Sequence, residues 1–256
     1  MCGRFELDAG RREVEQAFDA RIEDDFPARY NIAPTQPILV IKAPEAFREA
    51  TSNMPRHDAL LVRWGFIPAW TKQPDQWPLT FNIRAETVAI KRSFKNALRH
   101  HRVIIPATGF YEWKKRTDGK SQPYYIGLSD KTIIGFAGLM ETWSGKEGSQ
   151  VDTAAIITCA AKAPLKSIHH RMPVIVQKKD VERWLDCRNF RPDEVIDIAR
   201  DPVIGEFDVF PVSGKINNTA YLGSDVKEKI DLCRPTESDN EKKVKNLQNK
   251  SQLDLF

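Results

Sequence analysis

Cysteine is scarce in this chain, and the cysteines are widely separated in the sequence. The four cysteines, Cys2, Cys159, Cys187 and Cys233, are spread over 256 residues, with no Cys-x-x-Cys pair and no cysteine–histidine spacing typical of zinc. A disulfide framework and a zinc site are therefore not expected, and no metal or cofactor is predicted. An excess of one charge is also missing: the net charge of +4 permits an acidic partner such as DNA without requiring one.

Long apolar runs are missing as well. No segment is apolar enough over a sufficient length to cross a bilayer, and no charged-then-apolar signal segment opens the chain. With 41% hydrophobic and 29% charged residues, the composition is that of a globular protein with ample length for a core. We therefore expect a cytoplasmic protein with no membrane partner.

The spacing of short apolar runs predicts an α+β fold. Residues 11–20 have the pattern of an amphipathic helix, and helical patterns recur at 86–100, 163–169, 178–186 and 192–200. Short runs rich in β-branched and aromatic residues predict strands at 38–41, 60–66, 103–105, 124–128, 132–136, 154–158, 174–176 and 207–210. Many short strands with few helices indicate a compact domain around a curved, barrel-like, mainly antiparallel sheet with a few flanking helices.

The composition changes near Pro235. From there to Lys250 the only aliphatic residues are Val244 and Leu247, so this stretch cannot bury enough apolar surface to become ordered. We predict one domain over residues 1–234, a flexible polar tail over 235–251, and a terminal apolar motif, QLDLF, over 252–256.

The second residue has the most informative chemistry. If Met1 is removed, which the small side chain of Cys2 favours, Cys2 carries a free α-amine beside its thiol. Such a 1,2-aminothiol captures aldehydes: the amine forms an imine, the thiol adds to the imine carbon, and a thiazolidine ring closes. An α-amine titrates near pH ~7.7, so about one in six is neutral and nucleophilic at pH 7.

Six polar motifs accompany the opening MCGRF over roughly residues 1–225. They are RYNIAP, RWGFIPAW, FNIRAET, GFYEWKK, SIHHRMP, and PVS followed by Asn217 and Asn218. Together these motifs resemble the SRAP family, named for SOS-response-associated peptidases. The resemblance implies a compact SRAP fold, binding to single-stranded DNA, and a covalent thiazolidine crosslink through Cys2 to abasic sites, whose ring-opened sugar presents an aldehyde. It also implies lyase-like chemistry and, from the family name, self-removal of Met1 by peptidase activity.

The resemblance assigns catalytic roles to four residues. Cys2 would supply both nucleophiles, and Asn82 would hold the N-terminal amine. Glu112 would act as general acid/base, and His169 would exchange a proton with the sugar oxygen. Three alternatives remain open. Glu112 faces water on its aromatic strand, or Asn82 is an ordinary turn residue. The third is that the adjacent His170 takes the histidine's role, since neighbouring side chains point apart.

The resemblance also implies contacts with DNA. Arg4, Arg84 and Arg171 would hold phosphates flanking the lesion, and Trp64 or Trp70 would stack on a base. A cluster of basic residues either widens this face or forms a solvated helix surface: Lys91, Arg92, Lys95, Arg99 and Arg102.

The last five residues resemble the bacterial sliding-clamp binding motif. Gln252, Leu253, Leu255 and Phe256 would dock in an apolar pocket of the clamp while the tail supplies reach. This predicts a monomeric bacterial or phage protein tethered at replication forks and associated with the nucleoid. The alternative is that the apolar end folds back onto its own domain.

Two other functions remain open. An N-terminal-nucleophile amidohydrolase also begins with Cys-Gly, and uses the amine as a base and the thiol as a nucleophile. Its glutamine-binding motifs are not found here, and it leaves the YEW and IHHRMP segments unexplained. A non-catalytic adaptor bound to the clamp would work without Cys2.

Overall fold

The computed structural model describes residues 2–45, 53–202 and 205–232. Within these residues the helices are α1 (Arg11–Phe18), α2 (Arg92–His100), α3 (Val181–Leu185) and α4 (Pro192–Arg200). The strands in chain order are β1 (Phe5–Leu7), β2 (Ala20–Ile22), β3 (Arg29–Ile32), β4 (Pro37–Lys42), β5 (His57–Trp64), β6 (Asn82–Arg84), β7 (Arg102–Ala107), β8 (Gly109–Lys115), β9 (Ser121–Leu128), β10 (Ile134–Ser144), β11 (Gln150–Ala160), β12 (Arg171–Pro173), β13 (Ile175–Val176) and β14 (Phe207–Pro211). The predicted tail and the QLDLF motif lie outside the described residues.

Five strands close into a ring. Strands β5, β4, β7, β10 and β11 are antiparallel neighbours, and a parallel pairing of β11 with β5, Thr153 opposite Arg63, completes the circuit. The end of β11 also pairs with β6 on one side and with β12 on the other. A second, antiparallel sheet has the order β14-β9-β8-β1-β3. The predicted α+β fold with a barrel-like, mainly antiparallel sheet is confirmed.

Aromatic side chains join the second sheet to the ring. Phe5 of β1 meets Trp64 of β5 edge-on at a centroid distance of 5.1 Å, and Phe136 of β10 at 6.1 Å. All three are almost completely buried. Edge-to-face contacts between aromatic side chains add to the stabilisation from apolar burial. This contact therefore fixes the position of β1 against the five-stranded ring, and with it the position of Cys2, which precedes β1.

Two predicted helices are shorter than expected. The segment 86–100 becomes helical only from Arg92, because the N–H of Ala85 donates to the carbonyl of Thr158 and ties the preceding turn to β11. Of segment 163–169, only one 3-10 turn forms, at Leu165–Ser167, before the chain enters β12. Both corrected segments adjoin strands that bind β11, so tertiary pairing overrides the local helical pattern.

One buried arginine joins the ends of two helices. The Arg102 guanidinium donates to the carbonyl of Leu98 at the end of α2 and to that of Trp184 in α3. It also donates to the carbonyls of Asp186 and Phe190, at 3.0 and 2.9 Å. Since the last carbonyls of a helix have no partner within the helix, one cation here satisfies acceptors from both helix ends.

Candidate functional site

Cys2 is held in place by Asn82. The side-chain Nδ2 of Asn82, at the start of β6, donates to the carbonyl oxygen of Cys2 at 2.8 Å. Cys2 has no exposed surface, and its Sγ lies 3.8 Å from the carbonyl oxygen of Arg4. The Oδ1 of Asn82 is also buried and has no hydrogen-bond partner within the described residues. The predicted neighbours Cys2 and Asn82 are therefore brought together.

Burial controls the charge of the Cys2 thiol. Desolvation raises the pKa of this thiol well above its ordinary value, and the nearby Glu112 carboxylate acts in the same direction. The thiol is therefore protonated at neutral pH, and its addition to a substrate needs a group that accepts the proton.

Glu112 is a carboxyl group close enough to interact electrostatically with this thiol. It lies on β8 with 3% of its surface exposed, so the alternative in which it faces water is wrong. Burial raises the pKa of Glu112 to about 7. A carboxyl group that titrates near neutral pH is suited to both donating and accepting a proton during one reaction.

His169 faces Glu112. The Nδ1 of His169 lies 3.7 Å from the Oε1 of Glu112 and accepts the backbone N–H of Arg171 at 3.1 Å. Nδ1 also lies 3.2 Å from the carbonyl oxygen of Arg171; in the tautomer in which Nδ1 accepts the Arg171 N–H, the proton of the neutral ring is on Nε2. Burial lowers the pKa of the ring, so the neutral form is favoured. His170 is exposed, with its ring centroid 4.3 Å from that of His169. The geometry places His169, not His170, beside Glu112.

The three predicted phosphate-binding arginines have different surroundings. Arg84 at the end of β6 is exposed. Arg4 is half-buried, with Nη1 donating to the carbonyl of Gly3 and a buried Nε that lacks a hydrogen-bond partner within the described ranges. Arg171 is buried, and its guanidinium forms a two-pronged ion pair with Glu86.

The two predicted stacking tryptophans are not equivalent. Trp64 is fully buried, and its indole N–H donates to the carbonyl of Phe81 at 2.9 Å, so a base has no face of this ring to stack on. Trp70 has 57% of its surface exposed and meets Trp77 edge-on at 5.4 Å. Of the two, Trp70 therefore stays a candidate for stacking on a base, whereas Trp64 belongs to the core.

The basic cluster divides into two parts. Lys91, Arg92 and Lys95 are exposed on or just before α2. Arg99 donates to the carbonyl of Cys187, and Arg102 is 1% exposed at the helix ends described above. Only the first three remain candidates for a wider DNA-binding face.

A polar network behind the site has no counterpart in the sequence prediction. Glu6 of β1 is fully buried and accepts from the hydroxyls of Tyr125 at 2.9 Å and Tyr111 at 3.2 Å. Lys227 lies 3.1 Å from Glu6 and also contacts Asp8. Tyr111 precedes Glu112 on β8, so this network fixes β8 from the face opposite the site. One signal was available in the sequence: a carboxylate between Phe5 and Leu7 on an apolar strand needs a buried partner.

Neither a membrane-spanning helix nor a metal-binding cluster is present in the described part of the chain. No helix there is long and apolar enough to cross a bilayer. No group of three or more histidine, cysteine, aspartate or glutamate side chains there has the geometry to hold a metal ion.

Residues 1–219 match the family model described as SOS response associated peptidase (SRAP). The chain belongs to the SRAP family, and the resemblance read from its motifs is confirmed. It is 35% identical over 224 residues to the abasic site processing protein YoaM of Bacillus subtilis, covering 85% of this chain and 93% of that protein. It is 30% identical over 239 residues to the abasic site processing protein YedK of Escherichia coli, covering 90% of this chain and all of the relative.

Solved structures show the same fold. A crystal structure of a protein from Bacteroides thetaiotaomicron superimposes with a TM-score of 0.77 at 21% identity, over 90% of this chain and 100% of that one. A protein from Bordetella bronchiseptica superimposes with a TM-score of 0.69 at 24% identity, over 83% of this chain and 100% of that one.

Proposed function

We propose that this protein processes abasic sites in single-stranded DNA by capturing them through Cys2. The observation that carries the proposal is the placement of the buried Cys2, anchored by Asn82, in one site with Glu112 and His169. Membership of the SRAP family and similarity to proteins named for abasic site processing support the same substrate.

The first step of the reaction opens the sugar. The abasic sugar is mainly a closed hemiacetal, so the C1 hydroxyl must lose a proton and the ring oxygen must gain one. The Nε2–H of His169 is the donor suited to the ring oxygen, and the Glu112 carboxylate is the acceptor suited to the hydroxyl proton. The product is an open-chain aldehyde at C1.

The second step forms the ring between protein and DNA. Once Met1 is removed, the amine of Cys2 adds to the C1 aldehyde and water leaves as the imine forms, with the protonated Glu112 donating a proton to the departing hydroxyl. The thiol sulfur then adds to the imine carbon while its proton passes to the imine nitrogen. Glu112, with a pKa near 7, is suited to carry these protons in both directions.

Asn82 supports the attacking amine. Its Nδ2 already holds the carbonyl of Cys2, and its buried Oδ1 is free within the described residues to accept an N–H from the amine of the same residue. An amine held this way has one orientation instead of many, which lowers the entropic cost of attack.

The test is a denaturing gel of the processed protein with a single-stranded oligonucleotide that carries one abasic site. Mass spectrometry of the same sample verifies removal of Met1. A shifted band that survives heat is expected for the wild type, an unstable or absent one for Cys2→Ser, and none for Cys2→Ala. Cys159→Ala is the matched control, because it removes another buried thiol. No band from fully processed wild type would refute the proposal, and a glutaminase assay would then test the amidohydrolase alternative.

We further propose, from the sequence, that the terminal QLDLF binds the sliding clamp. The pattern of Gln252, Leu253, Leu255 and Phe256 supports this proposal. Truncation after Ser251 should abolish binding to a purified bacterial clamp and leave crosslinking to a free oligonucleotide unchanged. If the truncated chain binds the clamp as well as the full chain does, the tether is excluded.

A further inference from the structure

The Glu86–Arg171 pair combines an almost buried cation with a half-exposed anion. The guanidinium of Arg171 donates to both carboxylate oxygens of Glu86, and its Nη2 also donates to the carbonyl and hydroxyl oxygens of Thr158 on β11. The Arg171 side chain is 10% exposed, whereas that of Glu86 is 50% exposed. Arg171 is therefore anchored from behind, by β11, and Glu86 covers it from the solvent side.

Glu86 binds Arg171 in the way that a phosphate would. A guanidinium offers a planar fork of N–H donors that fits two oxygens of a carboxylate or of a phosphate equally well. The remaining Arg171 donor, Nε, is buried and lacks a hydrogen-bond partner in the described part of the chain. Without an anion on its outer side, this buried cation would be poorly compensated.

The pair lies next to the groups that act on the sugar. The backbone N–H of Arg171 donates to Nδ1 of His169, and β6, which begins with Asn82, ends two residues before Glu86. The exposed Arg84 is the last residue of that strand. A phosphate beside a sugar bound at Cys2 and His169 therefore arrives at the solvent side of Arg171, where Glu86 sits.

We propose that Glu86 is an internal substitute for a DNA phosphate, which occupies Arg171 in the free protein and is displaced when the strand binds. The inference rests on the proposed function, since it takes the phosphate to be one that flanks the captured lesion. Glu86 stays half-exposed and rotates into water on displacement, while Arg171 keeps its contacts with Thr158. In the free protein Glu86 thus keeps Arg171 neutralised and holds off other anions.

Because of this exchange, a substitution of Glu86 should strengthen DNA binding instead of weakening it. A phosphate that binds wild-type protein must first break a half-exposed ion pair, which is worth up to about 1 kcal/mol. Glu86→Gln removes the competitor, so single-stranded DNA should bind roughly two- to fivefold more tightly. If Glu86 were instead part of a rigid framework needed for binding, its loss would weaken binding.

The experiment measures reversible binding, separately from crosslinking. The probe is a single-stranded oligonucleotide with a tetrahydrofuran residue, which has the shape of an abasic sugar but no aldehyde. Fluorescence anisotropy gives Kd for wild type, Glu86→Gln and the matched control Asp197→Asn, which breaks another two-pronged arginine–carboxylate pair, with Arg183. Tighter binding is expected for Glu86→Gln alone; equal or weaker binding than the wild type would overturn the proposal.

Probes in which one phosphate is replaced by a neutral linkage identify the phosphate that binds Arg171. In a set of probes with one methylphosphonate each, the gain of Glu86→Gln should vanish at one linkage beside the lesion and persist at the others. A gain that persists with every probe would mean a general charge effect and would also overturn the proposal. Arg171→Lys, which keeps the charge without the fork, should bind more weakly and show no preference for that linkage.

The proposal and the proposed function fail differently. The same preparations are tested on the gel with a true abasic site. If the wild type crosslinks but Glu86→Gln binds no tighter, the exchange is wrong and the capture reaction stands. If the wild type does not crosslink, but Glu86→Gln binds more tightly and this gain vanishes at one linkage, the exchange stands and the capture reaction is wrong.

Discussion

The side-chain amide of Asn82 lies 2.8 Å from the carbonyl oxygen of Cys2, although 80 positions separate them in the chain. This hydrogen bond fixes the backbone of the residue that carries both proposed nucleophiles. It also makes the position of Cys2 depend on β6, a strand that pairs with β11.

Asn82→Ala should slow crosslinking without preventing it. Loss of one hydrogen bond at a buried carbonyl corresponds to about fivefold in rate, since such a bond contributes about 1 kcal/mol. The measurement is the single-turnover rate of band formation on the denaturing gel. Asn96→Ala, on an exposed position of α2, should leave the rate unchanged. An unaltered rate for Asn82→Ala would remove Asn82 from the site.

Glu112 makes the stability of the protein depend on pH. Burial raises its pKa from 4.5 to about 7, so between these values the folded state binds the proton more tightly than the unfolded state. The Glu112 contribution to stability is therefore fully present below pH ~4.5, falls as the pH rises to about 7, and is level above that. Glu112→Gln should remove this fall and stabilise the protein at pH 8 by roughly 2–3 kcal/mol relative to the wild type.

Urea unfolding at pH 5 and pH 8 measures the effect, with Glu147→Gln at an exposed position as the control. The same Glu112→Gln protein should crosslink slowly. We therefore expect the variant to be more stable at pH 8 and to crosslink more slowly. Both effects have one cause: burial raises the pKa of Glu112 to a value suited to proton transfer, and it also destabilises the charged carboxylate. Equal stability of variant and wild type at pH 8 would contradict the assignment.

Two test substrates can show whether His169, and not His170, acts in the opening of the sugar. His169→Ala should slow crosslinking to an abasic site by roughly a hundredfold, since general acid catalysis contributes at least that much. His170→Ala, at the exposed neighbour, should have little effect. An oligonucleotide that carries an open-chain aldehyde bypasses sugar opening, so His169→Ala and wild type should capture it at similar rates. If the defect persists with that aldehyde, His169 does not act on the ring oxygen.

Lys227 should stabilise the protein through Glu6. Lys227→Met leaves the fully buried Glu6 and its neighbour Asp8 without their cation, and should cost roughly 2–3 kcal/mol of unfolding free energy. The loss should be larger at pH 8 than at pH 5, because burial already raises the pKa of Glu6 and a protonated carboxyl needs no cation. Lys215→Met, which breaks a more exposed pair with Asp225, is the control and should cost less.

Arg102 should be the most sensitive arginine for stability. Arg102→Leu leaves the buried carbonyls of Leu98 and Trp184 without this donor and removes part-buried hydrogen bonds to Asp186 and Phe190, so it should cost about 3–5 kcal/mol in urea unfolding. Arg99→Leu removes a single hydrogen bond to the carbonyl of Cys187 and should cost about 1 kcal/mol. Similar losses for both variants would show that the two helix ends do not depend on Arg102.

The sequence predicts the apolar strands of the ring well and the short strands beside the site poorly. β4 and β7 contain runs of β-branched residues that indicate strands directly. β6 reads Asn-Ile-Arg and β12 reads Arg-Met-Pro, and three residues with polar members give no periodicity. They become strands because each pairs with β11, a contact between distant segments that no local pattern contains.

Contacts between distant segments also explain which site residues the sequence identifies and which it misses. The family motifs point to Cys2, Asn82, Glu112 and His169, and the structure places each of them in one site. Glu86 stands in the same motif as Asn82, but nothing local shows that its carboxylate pairs with Arg171, 85 positions away. The burial of Trp64 is likewise decided by Phe5 and Phe81, from two other segments.

The burial of Cys2 also sets a time window for removing Met1. The chain leaves the ribosome from its N-terminus, but Cys2 cannot pack until β6, β8 and β12 have been made, about 10 to 30 s later at typical synthesis rates. A separate aminopeptidase that has to bind the Cys2 backbone would therefore act during synthesis, before Cys2 is buried. Self-removal has the opposite timing, because it needs the finished site. Pulse-labelled nascent chains that already lack Met1 would identify the first route, and full-length chains that lose it only after folding would identify the second.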